Sequence, residues 1–156
     1  MNRSRPFRKA RILASLSSMV ALLFTATLAS AELTPWNQEQ VTAIAGKLVE
    51  ATSDLRTTLR KQPPPTLGQP GKRAFYQLRD DVSSIHATAG RLHTALGEGA
   101  TRDETLPTYR RMISSVRSAS DELRRIQLGE PVSGKIEAAA AVLRELRPFY
   151  EEEPPI

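Results

Sequence analysis

Cysteine is absent from the 156 residues. That excludes disulfides, thiolate metal sites, covalently attached c-type haem, a lipoprotein cysteine anchor and a cysteine nucleophile, so stability must come from a packed core. Aromatic residues make up only 5 % of the chain and histidines number two. No stretch of useful length alternates apolar and polar residues as a half-buried strand would. The enzyme motifs are missing as well. There is no G-x-S-x-G elbow, no H-E-x-x-H pair and no inward Glu-x-x-His. Asp80 and Asp81 are neighbours and point in different directions on a helix, so they form no catalytic dyad. A non-enzymatic protein is expected.

Acidic residues are missing from positions 1–31, where Arg3, Arg5, Arg8, Lys9 and Arg11 stand together. The formal net charge of +5 resides there, because the remaining 17 basic residues face 17 acidic ones. No overall basic field is left to attract nucleic acid. The basic start, the apolar run from Ile12 to Ala29 and the small residues of Ala29-Ser30-Ala31 follow the three-part plan of a secretory signal peptide. Cleavage is expected after Ala31, giving a periplasmic or secreted protein that begins at Glu32 and has no transmembrane segment. An uncleaved anchor is the rival reading, but the run is near the lower limit for spanning a bilayer and carries five hydroxyl residues.

What the chain has in quantity is helical patterning. Phe75, Leu78, Val82, Ile85, Ala89, Leu92 and Leu96 recur in steps of three and four and form one stripe on a helix. Such a helix needs partners in water. The first partner runs over about residues 35–61, with Thr34 as cap, Pro35 in the first turn and Val41, Ile44, Ala45, Leu48, Thr52, Leu55 and Leu59 as its stripe. Trp36 is expected to fold over the end of the bundle. Four prolines and two glycines make 63–71 a loop, with the central helix following at about 72–97.

Thr101-x-x-Glu104 has the form of a capping box, but Pro107 would then lie in the second turn. A third helix at about 105–127 is therefore expected, with Leu106, Tyr109, Ile113, Val116, Ser120 and Leu123 as its stripe. A fourth follows at about 132–148, carrying Val132, Ile136, Ala139, Leu143, Leu146 and Tyr150. Residues 151–156 form an acidic, proline-broken tail. Four helices with short connections predict an all-α, antiparallel up-down-up-down four-helix bundle over residues 32–150.

Gly129 to Lys135 has the spacing G-x-x-x-x-G-K of a phosphate-binding loop. Neither the preceding strand nor the following Ser or Thr is present, so it reads as a helix-breaking turn. His86 and His93 are seven apart, about 10.5 Å along a helix, which is too far for one ion to bind both without strain. They read as boundary residues partly covered by a neighbouring helix. Arg110, Arg117 and Arg124 repeat every seven residues on the third helix. They form either a partner surface for an acidic protein or anionic lipid, or an interhelical ion-pair flank facing Asp80, Asp81, Glu137 or Glu145. The ion-pair flank is the expected arrangement.

In length, expected compartment and helix count the chain resembles the exported b-type cytochromes and cytochromes c prime. Those families ligate haem, but here the first helix has no methionine, the fourth has no histidine and Cys-x-x-Cys-His is absent, so no cofactor is expected. Leu33-Thr34-x-x-x-Gln38 is similar to the Leu-Thr-x-x-Gln signature of periplasmic stress chaperones, with one residue too many. Two functions stay open. One is a monomeric or weakly dimeric bundle that binds another macromolecule or serves as a structural envelope component. The other is a carrier holding a ligand in a core cavity or a metal at His86 or His93.

Overall fold

The computed structural model describes residues 33–64 and 69–151. The expected signal peptide, the centre of the proline-rich loop and the tail from residue 152 onward lie outside those residues. Within them the protein is all-α. Its elements are α1 (Gln38–Lys61), α2 (Gln69–Gly97), α3 (Arg102–Leu123) and α4 (Glu130–Leu146), which ends in a single 3-10 turn, Arg147–Phe149. No helix among the described residues is long and apolar enough to cross a membrane.

The two central stripes are buried throughout. All seven stripe residues of α2 are between 0 and 8 % exposed, and the seven of α1 are buried with them. The packed pairs are α1 with α2, α2 with α3 and α1 with α4. Contacts between them run in opposite senses along the two helices of each pair. Gln38, at the start of α1, donates to the carbonyls of Leu96 and Ala100 at the end of α2. The Thr34 amide donates to the Pro148 carbonyl after α4. Ser118 meets Asp81 while Ser115 meets Ser84. The fourth pair, α3 with α4, does not close in the same way.

Six element boundaries differ from expectation. Thr34 and Pro35 lie outside α1, whose cap is Asn37; its side chain accepts from the Gln40 amide at 3.0 Å. An asparagine here supplies the same acceptor as a threonine, placed three residues nearer the apolar stripe. α2 begins at Gln69, taking Pro70 and Gly71 out of the expected loop. Proline fits a first turn, where its missing N–H would have had no intrahelical partner.

α3 starts with the capping box at Thr101 and Glu104, and Pro107 sits inside the helix. The box satisfies two terminal donors reciprocally, while Pro107 removes a single ladder bond, so the earlier start wins. α3 also stops at Leu123 instead of about 127, and α4 begins at Glu130 and ends at Leu146. Pro148 and Tyr150 therefore follow the α-helix. Tyr150 is buried all the same.

The core of α3 is rotated by less than one residue position from the expected stripe, since Tyr109 belongs to both. Thr105, Tyr109, Met112 and Ala119 are buried, while Ile113 and Val116 are half-buried and Ser120 is exposed. A step of one position is about 100° on a helix. Thr105 and Tyr109 meet Tyr150, Ser115 and Ser118 meet α2, and Ile113 and Val116 turn toward the side where α4 leaves the bundle open.

Candidate functional site

The open side is a groove between α3 and α4. Its floor is apolar: Leu48 and Leu55 from α1 and Leu78, Val82 and Ile85 from α2, the same residues that make the core. Its walls are Val116 and Leu123 on α3 and Ile136, Ala139 and Leu143 on α4. The small side chains of α4 leave a cavity of about 120 Å³ there. The groove runs on through Val116, Ala140 and Leu143 into a second hollow of about 280 Å³, whose rim carries Arg117, Arg144 and Arg147. Of the walls only Ala119 is buried, and α4 buries only its two ends, Val132 and Leu146.

One end of this groove is closed by aromatics. Tyr150 stacks on Tyr109 with ring centroids 4.3 Å apart and interplanar angle 7°, and Trp36 meets Tyr150 edge-on at 5.5 Å. The Tyr150 hydroxyl is 2.8 Å from Thr105 Oγ1. Trp36 thus covers the bundle end, as expected, and its Nε1 donates to Gln38 Oε1. Tyr109 donates to Glu151 Oε1 at 3.2 Å, and Arg147 Nε donates to Glu151 Oε2 at 2.8 Å. Burial first, then the Glu151 carboxylate, push the Tyr109 phenol far above its ordinary range. Burial raises Tyr150 too, against the opposing hydrogen bond from Thr105. Both phenols therefore stay protonated at neutral pH.

The expected arginine flank is not an ion-pair seam. Among the described residues, Arg124 pairs only with Asp121 on its own helix, at 3.9 Å and largely in solvent. Arg110 and Arg117 have no acidic partner within 4 Å among the described residues. The interhelical pairs, Lys47–Glu145 at 3.8 Å and Lys135–Asp54 at 2.7 Å, join α1 to α4 instead. Of the acids expected opposite, Asp81 on α2 accepts from Ser118 and Gln77, Asp80 lines the hollow between α1 and α2, and Glu145 on α4 pairs with Lys47. Of the three arginines, Arg117 is the one at the groove.

The histidines both lean on α1. His86 Nδ1 lies 3.1 Å from Thr52 Oγ1. Burial lowers its pKa, the Arg56 charge lowers it further and the Val49 carbonyl opposes them. His93 covers Gly46, where a Cβ would come within 3.3 Å of its Nε2 and press the ring aside by a few tenths of an ångström. No carboxylate is bonded to either ring among the described residues, and no group of three or more His, Asp or Glu there could hold a metal. The Gly129–Lys135 segment opens α4, and Lys135 is taken by Asp54.

Sequence reasoning missed two things. Asp81 is buried at 9 % exposure, accepting from Ser118 Oγ at 2.8 Å and Gln77 Nε2 at 3.3 Å. Arg56, Arg60 and Arg79 gather in a polar hollow between α1 and α2. Each of these arginines follows a stripe residue, Leu55, Leu59 or Leu78, and that position one step off the core was the available signal.

No protein-family model matches the chain, no curated protein is detectably similar to it, and no solved structure shares its fold at a detectable level.

Proposed function

We propose that the chain is an exported, non-enzymatic helical bundle, periplasmic once the leader is cut after Ala31, that binds an amphipathic helix of a partner protein along the α3–α4 groove. The observation that carries this reading is the groove's chemistry: an apolar floor continuous with the core, with Arg117 and Arg144 unpaired at its rim among the described residues. An occupant with an apolar stripe and acidic flanks matches both features. Glu151, held by Arg147 and Tyr109 at one end, already exemplifies an acid seated there. From Tyr109 to Leu123 the wall is about 21 Å long at 1.5 Å per residue, the length of a four-turn helix.

The test uses protein recovered from the periplasmic fraction with Glu32 as its first residue; retention of residues 12–31 would count against export. Its probe is a 14-residue peptide, by design about four turns long, with leucines at i, i+3, i+4 and i+7 and glutamates on the flanks. We expect binding that falls at least about tenfold, or 1.4 kcal/mol, in Arg117→Glu/Arg144→Glu and is lost when the peptide's glutamates become lysines. Equal affinity for both peptides, or none for either, would overturn the proposal. The cavity of about 120 Å³ is the one observation that favours the carrier reading. A stoichiometric small molecule in native mass spectra of the purified protein would move the assignment there.

A further inference from the structure

On the face opposite the partner groove, a hollow of about 290 Å³ opens between α1 and α2. Arg56 and Arg60 enter it from α1, and Tyr76, Arg79, Asp80 and Ser83 from α2. The spacing explains why they meet. Arg56 and Arg60 are four apart and lie one above the other on a helix, and Tyr76, Arg79, Asp80 and Ser83 follow the three-four pattern of a single face. Three guanidiniums and one carboxylate share the space, and none of the three arginines has an acid within 4 Å among the described residues.

Arg56 Nε is the group that needs an explanation. It is cut off from solvent and has no hydrogen-bond partner among the described residues. Leaving a buried donor unsatisfied is costly, more so when the group is charged. Nε is closed to a ligand in the hollow, but the guanidinium forks of Arg56, Arg60 and Arg79 line it, and their natural complement is an anion with several acceptor oxygens, since a planar fork of donors fits phosphate in two-point contact. Tyr76 is 50 % exposed, steadied by an edge contact with Phe75 at 6.0 Å, and offers a phenolic donor at the mouth. The Ser83 hydroxyl is committed to the Arg79 carbonyl at 2.8 Å, so it adds no donor. Asp80 at the rim disfavours a site for bulk polyanions and leaves room for one compact, doubly charged group.

We infer that the Arg56–Arg60–Arg79 hollow binds a terminal, doubly charged phosphate group. The same chemistry is presented by a free phosphate and by the headgroup of phosphatidic acid, and the experiment separates the two sources. Inorganic phosphate is titrated into the folded chain by calorimetry at low salt, with chloride as control. In parallel, the chain is floated with phosphatidylcholine vesicles with and without phosphatidic acid. We expect saturable binding in at least one arm, reduced about tenfold or more in Arg56→Met and in Arg60→Met, and unchanged in Arg91→Met, whose side chain is exposed away from both hollows. Because Arg60 is exposed, its variant remains informative if Arg56→Met unfolds. Binding of phosphate alone assigns a free ligand, and binding confined to phosphatidic acid vesicles assigns the headgroup. Absence of binding in both arms at millimolar phosphate would overturn the inference, as would binding that survives both arginine substitutions.

Discussion

The two sides of this bundle are built from the same kind of helix and end in different states. On the α1–α2 side, two unbroken stripes meet face to face, and every stripe residue is buried. On the α3–α4 side, the apolar residues Val116, Leu123, Ile136 and Leu143 are half-buried at best and line a groove. Bulk makes the difference. α1 and α2 offer leucine, isoleucine, valine and phenylalanine at their contacts, whereas the middle of α4 is Ala138 to Ala141, too small to reach across to α3. α3 is tethered to the chain end through Thr105, Tyr109 and Tyr150 and to α2 along its length, but nothing draws its middle toward α4. Burial is roughly proportional to stabilisation, so the closed side holds the fold and the open side is free to do something else.

The largest effect expected from this contrast is in a pair of truncations. Phe75→Ala removes a side chain with no exposed surface from the closed side and should cost about 3–5 kcal/mol. Leu143→Ala trims the half-buried wall of the groove and should cost about 1 kcal/mol or less, since much of that surface is already in solvent. Equilibrium denaturation of both variants measures the gap. Similar losses would mean that the groove closes in solution and that the two sides are alike.

A smaller effect concerns how α3 is anchored. The Thr101 cap receives the Glu104 amide, and the Glu104 carboxylate returns to the Thr101 amide at 2.8 Å. These bonds hold the Glu104 carboxyl below its ordinary range. Thr101→Ala should lower stability by about 1 kcal/mol. Because Thr105 in the same turn holds Tyr150, the near-ultraviolet dichroism of the stacked tyrosines should weaken as well. An unchanged tyrosine signal with normal stability would show that the cap contributes nothing to the seal.

The closed side was legible in the sequence because both of its helices carry single, unbroken stripes. The seven positions of α1 and the seven of α2 were all read from spacing alone. α3 was harder, since Leu106 and Ile113 lie on one edge of its apolar band and Thr105 and Met112 on the other. Both edges share Tyr109, Val116 and Leu123, and only the position of the neighbours decides which is buried. The start of α3 was misplaced because a proline in the second turn was expected to push the start on to Thr105, whereas the capping box at Thr101 and Glu104 outweighs the ladder bond that Pro107 removes. The pocket arginines showed only their place one step off the core, and their meeting was hidden for a different reason. Arg56, Arg60 and Arg79 lie on two helices, and their convergence depends on how those helices are rotated against each other.

The smallest effect probes the closed side by pH. His86 sits against α1, bonded to Thr52 and beside Arg56, and its pKa is lowered by burial and by that positive charge. In the unfolded chain an imidazole takes its proton near pH 6.5, whereas in the folded chain it resists protonation until lower pH. Between those two points the unfolded state binds more protons, so stability falls as pH is lowered from about 6.5 and is fully present above it. The contribution of the Glu104 carboxyl, also lowered, is lost only in the more acidic range below about 4.5, which keeps the two apart. Denaturation midpoints measured from pH 7.5 down to about 5 should therefore decline in the wild type and decline less in His86→Gln, which keeps a polar partner for Thr52 without a titrating ring. If the two profiles run parallel across that window, the Arg56 charge is not felt at His86, and the α1–α2 face is wetter than its packing implies.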